Sequence, residues 1–328
     1  MEPRRTEMLE LELMQSANRL VNDVIGLKKT ESVLIVTDAA KLNVGRAFAL
    51  VCRGIGNETV LAIMPATGEH GNEPPKTIAA AMKAADVVFA PTTHALTHTR
   101  ARLDAYAAGT RVVILRGVDE DMMIKGAMTV DFKALKETTA GVARALRRAE
   151  KVKVTSPAGT NVTFSIGGRK VFTLDGYFQA AMGFAALPGG EVPTSPEEGT
   201  VNGTIVFDHS MDGIGRLRRP LKLEVKDGRV VSVTGDSEHT SFIDHIFEND
   251  RNARNIAEFA IGTNPKARLT GNLAEDKKRL GTVHFAIGDN KSLGGNVEAT
   301  VHLDGLMLRP TVIADGNEAL VKDGKLMV

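Results

Sequence analysis

The residues best equipped for chemistry lie between Gly281 and Gly305, GTVHFAIGDNKSLGGNVEATVHLDG. This stretch reads as a strand bearing His284, a glycine-rich turn, and a second strand whose sequence includes His302-Leu303-Asp304. Side chains two apart on a strand share a face, so His302 and Asp304 reach one point together. With an imidazole from the neighbouring strand they form a nitrogen and oxygen donor set suited to zinc, iron, cobalt or manganese. A His-x-Asp pair alone is more often a hydrogen-bonded surface pair. Here Val283, Ala286, Ile287, Val297, Val301 and Leu303 surround it with apolar residues, and buried polar groups need partners.

Two further carboxylates stand in unusual settings. Glu191 lies between Pro188-Gly189-Gly190 and Val192-Pro193, a backbone environment that fixes a side chain. Glu258 sits among Ile256, Ala257, Phe259, Ala260 and Ile261, where an unpaired carboxylate is costly, so a cation or a proton must answer for it.

The elements that must position these groups divide the chain near residue 150. The first part alternates: Glu7 to Leu27 is an amphipathic helix, Ser32–Thr37 a strand, Lys41–Arg53 a helix, Thr59–Met64 a strand, Thr77–Ala84 a helix and Asp86–Ala90 a strand. Thr97–Ala108, Thr110–Leu115 and Phe132–Glu150 continue the pattern as helix, strand and helix. Nearly continuous apolar strands between helices predict an α/β, doubly wound parallel-sheet domain over residues 1–150. Neither a Gly-x-Gly-x-x-Gly turn nor a Walker loop is present, so no nucleotide is assigned. From Lys151 the composition shifts to strands and turns, predicting a mainly antiparallel β (α+β) metal-binding domain over 151–328, with one long helix from Phe242 to Ile261.

Composition narrows the function classes. The 328 residues are 43% hydrophobic and 25% charged, with a net charge of +1, so no long-range field favours nucleic acid or an anionic membrane. The single cysteine, Cys52, excludes an intramolecular disulfide framework and a cysteine-based zinc cage. The N-terminal residues lack the charged head and apolar core of a secretory signal, and no apolar run reaches spanning length, so the cytoplasm is the expected location. No serine or cysteine stands in a nucleophile motif.

Gly190-Glu191-Val192-Pro193-Thr194-Ser195-Pro196 with Gly199-Thr200-Val201-Asn202-Gly203, Asn255-Ile256-Ala257-Glu258 leading to Gly262-Thr263-Asn264-Pro265, the His284 block and His302-Leu303-Asp304-Gly305 together resemble the leucyl aminopeptidase (aminopeptidase T) family of metallopeptidases. The resemblance implies Glu191, Glu258, His284, His302 and Asp304 as ligands of two divalent ions, zinc, cobalt or manganese. Three carboxylates against two such ions leave one positive charge for a bridging hydroxide. It also implies a metal-dependent aminopeptidase: metal-activated water attacks a small peptide substrate, Glu191 or Glu258 moves the proton, and the chain is a homodimer. One position departs from the pattern. Where the family places a tyrosine, seven residues after His284, stands Lys291, which could donate to an oxyanion in its stead. The same superfamily resembles dihydroxypyridine ring-cleaving dioxygenases, whose single Fe(II) is held by two histidines and one carboxylate, here His284, His302 and Asp304. The hydrolase is the favoured expectation, because a mononuclear ferrous site has no need of Glu191 and Glu258. A non-catalytic metal-stabilised protein is the third reading.

Other groups are weaker candidates. His94 and His98, in THALTHTR after a strand, occupy the position where open α/β sheets bind ligands. Asp208, His209 and Asp212 lie in a turn-rich segment, Arg216, Arg218 and Arg219 form a basic edge, and His239, Asp244 and His245 could orient ligands.

Overall fold

The computed structural model describes residues 5–97, 99–180 and 183–328, with the side chains of 5–7 left aside. It has two compact units: Met1–Lys133 with Gly176–Gly189, and Ala134–Asp175 with Gly190–Val328.

In the first unit, five parallel strands lie in the order Thr59–Ile63, Val33–Thr37, Val87–Ala90, Arg111–Ile114, Gly183–Ala186. The three inner strands are buried along their whole length, as continuous apolar runs covered by helices on both faces require. Strand order reverses at Val33–Thr37, and the loops there meet: buried Asp38 accepts from Thr93 N at 2.6 Å and from Thr93 Oγ1 at 3.0 Å. The fifth strand comes from residues beyond the composition change at 150, which local patterning does not show.

The second unit is antiparallel. A six-stranded sheet has the order Gly215–Arg216, Ser210–Met211, His302–Met307, Val283–Gly288, Ile256–Gly262, Glu191–Thr194. An eight-stranded sheet runs Arg229–Thr234, Leu221–Lys226, Asn202–Phe207, Asn161–Ser165, Lys151–Thr155, Thr311–Ala314, Glu318–Lys322, Lys325–Leu326. They share one core, in which Phe164 of the larger sheet meets Phe259 and Phe285 of the smaller at ring-centroid distances of 5.0 and 5.6 Å. The helix Phe132–Arg148 buries Val142, Ala143, Ala145 and Leu146 in this same core, so the unit takes in residues that precede 150.

The expected long helix over Phe242–Ile261 is corrected. A helix covers Ser237–Asn249, a short 3-10 turn covers Arg251–Arg254, and Ile256–Gly262 is a strand. Asp250 makes the break by accepting from Asn252 N at 2.8 Å and from Thr300 N at 2.6 Å. Ile256–Gly262 is buried at every position because it is paired on both sides, and a fully buried strand shows no alternation to distinguish it from a helix. No helix among the described residues is long and apolar enough to cross a membrane.

Candidate metal centre

Strand register gathers the predicted ligands on one face of the six-stranded sheet. Glu258 pairs with Ala286, Ala286 with Asp304, His284 with Leu306, Gly288 with His302, and Gly262 with Glu191. Paired residues share a face and the period is two, so Glu191, Glu258, His284, His302 and Asp304 all project together. Phe259 and Phe285 project to the opposite face, into the core. Ala260 and Ala286 lie between the ligands and leave room above the sheet.

Glu258 joins the two imidazoles: its Oε1 lies 3.1 Å from His284 Nε2 and its Oε2 2.9 Å from His302 Nε2. Asp304 Oδ1 is 3.4 Å from His302 Nε2, and Glu191 Oε2 is 3.5 Å from His284 Nε2. The His302 ring is oriented by donation from Nδ1 to the Asp289 carbonyl at 2.7 Å, which leaves Nε2 facing the carboxylates. Behind Asp304, Asp212 exchanges backbone contacts with it: Asp212 N donates to Asp304 O at 2.9 Å, and Asp304 N donates to Asp212 Oδ2 at 3.3 Å.

Two lysines complete the charge set. Lys277 Nζ is 2.7 Å from Asp304 Oδ2 and 3.6 Å from Glu191 Oε2, while Lys278 Nζ pairs with Glu191 Oε1. Burial opposes ionisation of all three carboxyls, yet each is held below its ordinary range: Glu191 by Lys277 and Lys278, Glu258 by hydrogen bonds with the two histidines, and Asp304 by Lys277 and His302. Burial likewise opposes the His302 imidazolium, but Asp304 and Glu258 raise its pKa well above the usual value.

The arrangement fits a divalent ion. Glu191–Glu258–His284 and Glu258–His302–Asp304 each bring ligand atoms within 4.8 Å of one another, and the two groups share Glu258. Asp304 Oδ1 and His284 Nδ1 are buried without a hydrogen-bond partner, and Glu191 Oε2 has only the longer contacts with Lys277 and His284; a buried carboxylate oxygen such as Asp304 Oδ1 suits a cation.

The remaining candidates fall elsewhere. Lys291 is exposed on the turn Lys291–Leu293. His209 Nε2 lies 3.3 Å from Asp276 Oδ2. Asp208 accepts from Leu308 N at 2.8 Å, and burial pushes its carboxyl pKa up. Arg216, Arg218, Arg219, Asp244 and His245 are exposed, whereas His239 is buried in its helix. His94 packs edge-on against His70, with ring centroids 5.3 Å apart, and His98 lies outside the described residues. Sequence reasoning missed Lys277, Lys278 and the role of the Asp289 carbonyl. Nothing local to Glu275-Asp276-Lys277-Lys278-Arg279 sets these lysines apart from a solvated charge run; only their neighbours in the fold do.

The fold and this donor set define a two-unit α/β protein with potential metal-binding groups on one face of an antiparallel sheet. The chain belongs to the 2,5-dihydroxypyridine 5,6-dioxygenase (NicX) family, whose model matches residues 15–328. A 2,5-dihydroxypyridine 5,6-dioxygenase of Pseudomonas putida is 25% identical over 265 residues, 75% of this chain and 72% of the relative. The solved 2,5-dihydroxypyridine dioxygenase from Pseudomonas putida KT2440 superposes with a TM-score of 0.80 at 19% identity, over 97% of this chain and 98% of that one. Wild-type AmpT from Thermus thermophilus superposes with a TM-score of 0.70 at 15% identity, over 98% and 100%.

These findings agree with the resemblance to dihydroxypyridine dioxygenases, and they correct the choice made between the two readings. The expectation of a metallo-aminopeptidase, a hydrolase and protease, is overturned by membership of a dioxygenase family. The likeness to AmpT, at 15% identity, is one of fold. The charge count that favoured two ions had also omitted Lys277 and Lys278.

Proposed function

We propose that this protein is a mononuclear Fe(II) dioxygenase that opens a dihydroxylated pyridine-type ring. The observation that carries this reading is the family match over residues 15–328. His302 and Asp304 would hold the ion together with His284, whose Nε2 faces that of His302 across Glu258, and Asp304 Oδ1 is a carboxylate atom without a hydrogen-bond partner. When bound, Fe(II) in such a donor set would supply the redox chemistry toward dioxygen that ring opening needs.

The chain's own groups do the rest. The Asp289 carbonyl keeps the proton of His302 on Nδ1, so that Nε2 is the ligand atom. Glu258, ionised and 2.9–3.1 Å from Nε2 of both imidazoles, is near enough to take the proton that leaves His302 Nε2 when the ion binds and to face the ion with them. Glu191 Oε2, buried and with only longer contacts to Lys277 and His284, would accept a hydrogen bond from a ring hydroxyl, and Lys278 stabilises its charge.

The test is oxygen uptake by protein loaded anaerobically with Fe(II) and mixed with 2,5-dihydroxypyridine. One O2 consumed per ring lost is expected, with a fall of at least about 100-fold in His302→Ala, since removing even a group that only supports a ligand costs about 10–100-fold. Wild-type protein with bound iron that consumes no oxygen with this ring would refute the proposal.

A further inference from the structure

The two potential metal groups share Glu258, so donor geometry alone admits two ions. The charges do not. Three ionised carboxylates face two lysines, Lys277 on Asp304 and Glu191, and Lys278 on Glu191; burial lowers the Lys278 pKa, and the contact with Glu191 opposes that and favours the ammonium. That leaves one net negative charge; a single divalent ion brings the set to +1, whereas a second would bring it to +3. A charge of +1 is met by one anionic oxygen of a bound ring, and +3 in a buried site has no counterpart among these residues.

The lysines are built into the site. The Lys277 and Lys278 side chains are only 13% and 7% exposed. The backbone of Lys278 is clamped on both sides, donating from N to Glu275 O at 2.9 Å and accepting at O from Asn264 N at 2.8 Å. The short helix Leu273–Asp276 before them is capped by Asn272, and Asp276 accepts from Thr270 N at 2.7 Å and Ser210 Oγ at 2.8 Å. Asn264 in turn packs on Gly190, where an added Cβ would stand 2.4 Å from the Asn264 Cβ, so the glycine lets the Lys278 anchor approach the strand of Glu191.

We infer that Lys278, with Lys277 beside it, is a fixed cation that stands on Glu191 in place of a second metal ion and so sets the metal number at one. This rests on the single-ion reading above. Lys278 is a positioning and specificity-determining residue: it acts on Glu191, which would otherwise be a ligand, by occupying its Oε1.

The experiment is titration of metal-free protein with Mn2+, with stoichiometry from elemental analysis and coupling between ions from electron paramagnetic resonance. Wild type is expected to bind one ion with an uncoupled six-line signal. Lys278→Gln, which retains a donor toward Glu191 without the charge, is expected to bind two with a coupled signal, and Lys278→Arg, which retains the charge, one. Circular dichroism confirms folding, and Lys277→Gln serves as the second variant should Lys278→Gln not fold. Two ions in the wild type, or one in a folded charge-removing variant, overturns the inference. Failure of the ring-cleavage proposal is separately visible: one Mn2+ in the wild type and two in Lys278→Gln, without oxygen uptake by the iron form, would sink that proposal and leave this inference standing.

Discussion

Glu198 fixes the loop that joins the His284 strand to the His302 strand. It accepts from Asn290 Nδ2 at 3.0 Å and Asn296 N at 2.8 Å, and pairs with Arg169. Fully buried Asn290 also donates to Ser195 Oγ at 3.0 Å and accepts from Val297 N at 2.8 Å, and the neighbouring Asp289 carbonyl holds His302. Burial opposes ionisation of Glu198, but the Asn296 amide, Arg169 and Asn290 bring its pKa down to about 2 from an ordinary 4.5. A depressed folded pKa gives stability that is present above the unfolded value and lost as pH falls through the folded one. Glu198→Gln should therefore lower stability at pH 7 by about 1–2 kcal/mol, discounted for the partial exposure of this side chain. The difference from wild type should shrink between pH 4.5 and 2, as read by urea unfolding; a difference independent of pH over that window would remove the charge from the explanation. At this scale the cluster of candidate ligands was legible because spacing of two on a strand, an apolar neighbourhood and a Pro/Gly frame each have a local signature. The lysines were not: their meaning depends on Asn264, which pairs with Lys278 only in the folded sheet.

A one-residue slip in any of the four strands that carry the candidate ligands would turn them into the core and core residues into the site. Register is held on the core face by the Phe164, Phe259 and Phe285 cluster, and at the His302 strand by a close approach. Gly305 pairs with Phe285, and a Cβ there would lie 2.3 Å from Phe207 Cδ2 and 2.4 Å from Cε2. Gly305→Ala must displace a fully buried aromatic ring, and overpacking of this kind costs about 1–3 kcal/mol. Its thermal midpoint should fall by several degrees, and Phe207→Leu in the same chain should recover part of the loss by freeing volume; a Gly305→Ala midpoint equal to wild type would show that Phe207 does not lock this strand. The hairpins of this sheet pair were legible from alternation, as in Lys151–Thr155 and Leu221–Lys226, whose outward residues are polar. Ile256–Gly262 was not, because a strand buried on both faces has lost the period that identifies it.

Across the chain, the ligand groups stretch from Glu191 to Asp304 in sequence, so unfolding disperses every one of them. An ion that binds the folded form alone stabilises it by about 2.7 kcal/mol at a free concentration of about 100 times Kd. For a cooperative unit of roughly 150–250 residues that is a rise in midpoint of about 5–10 °C. The rise should depend on pH in a set direction: the raised pKa of His302 means that a proton competes for Nε2, so acidification must weaken the ion's hold. Calorimetry of metal-free protein with and without Mn2+ at pH 7.5 should show the shift, repetition near pH 5.5 should show it reduced, and Asp304→Asn, which removes the ionised oxygen without changing shape, should abolish it at both. The variant also separates two sources of stability that coincide in the wild type. Lys277 pairs with Asp304 at 2.7 Å, so Asp304→Asn loses that pair with or without an ion. The metal-free midpoint of the variant therefore reports the ion pair, and only the difference made by adding Mn2+ reports the metal. If that difference survives in Asp304→Asn, the ion lies in the Glu191–Glu258–His284 group, and the assignment of Asp304 as ligand falls.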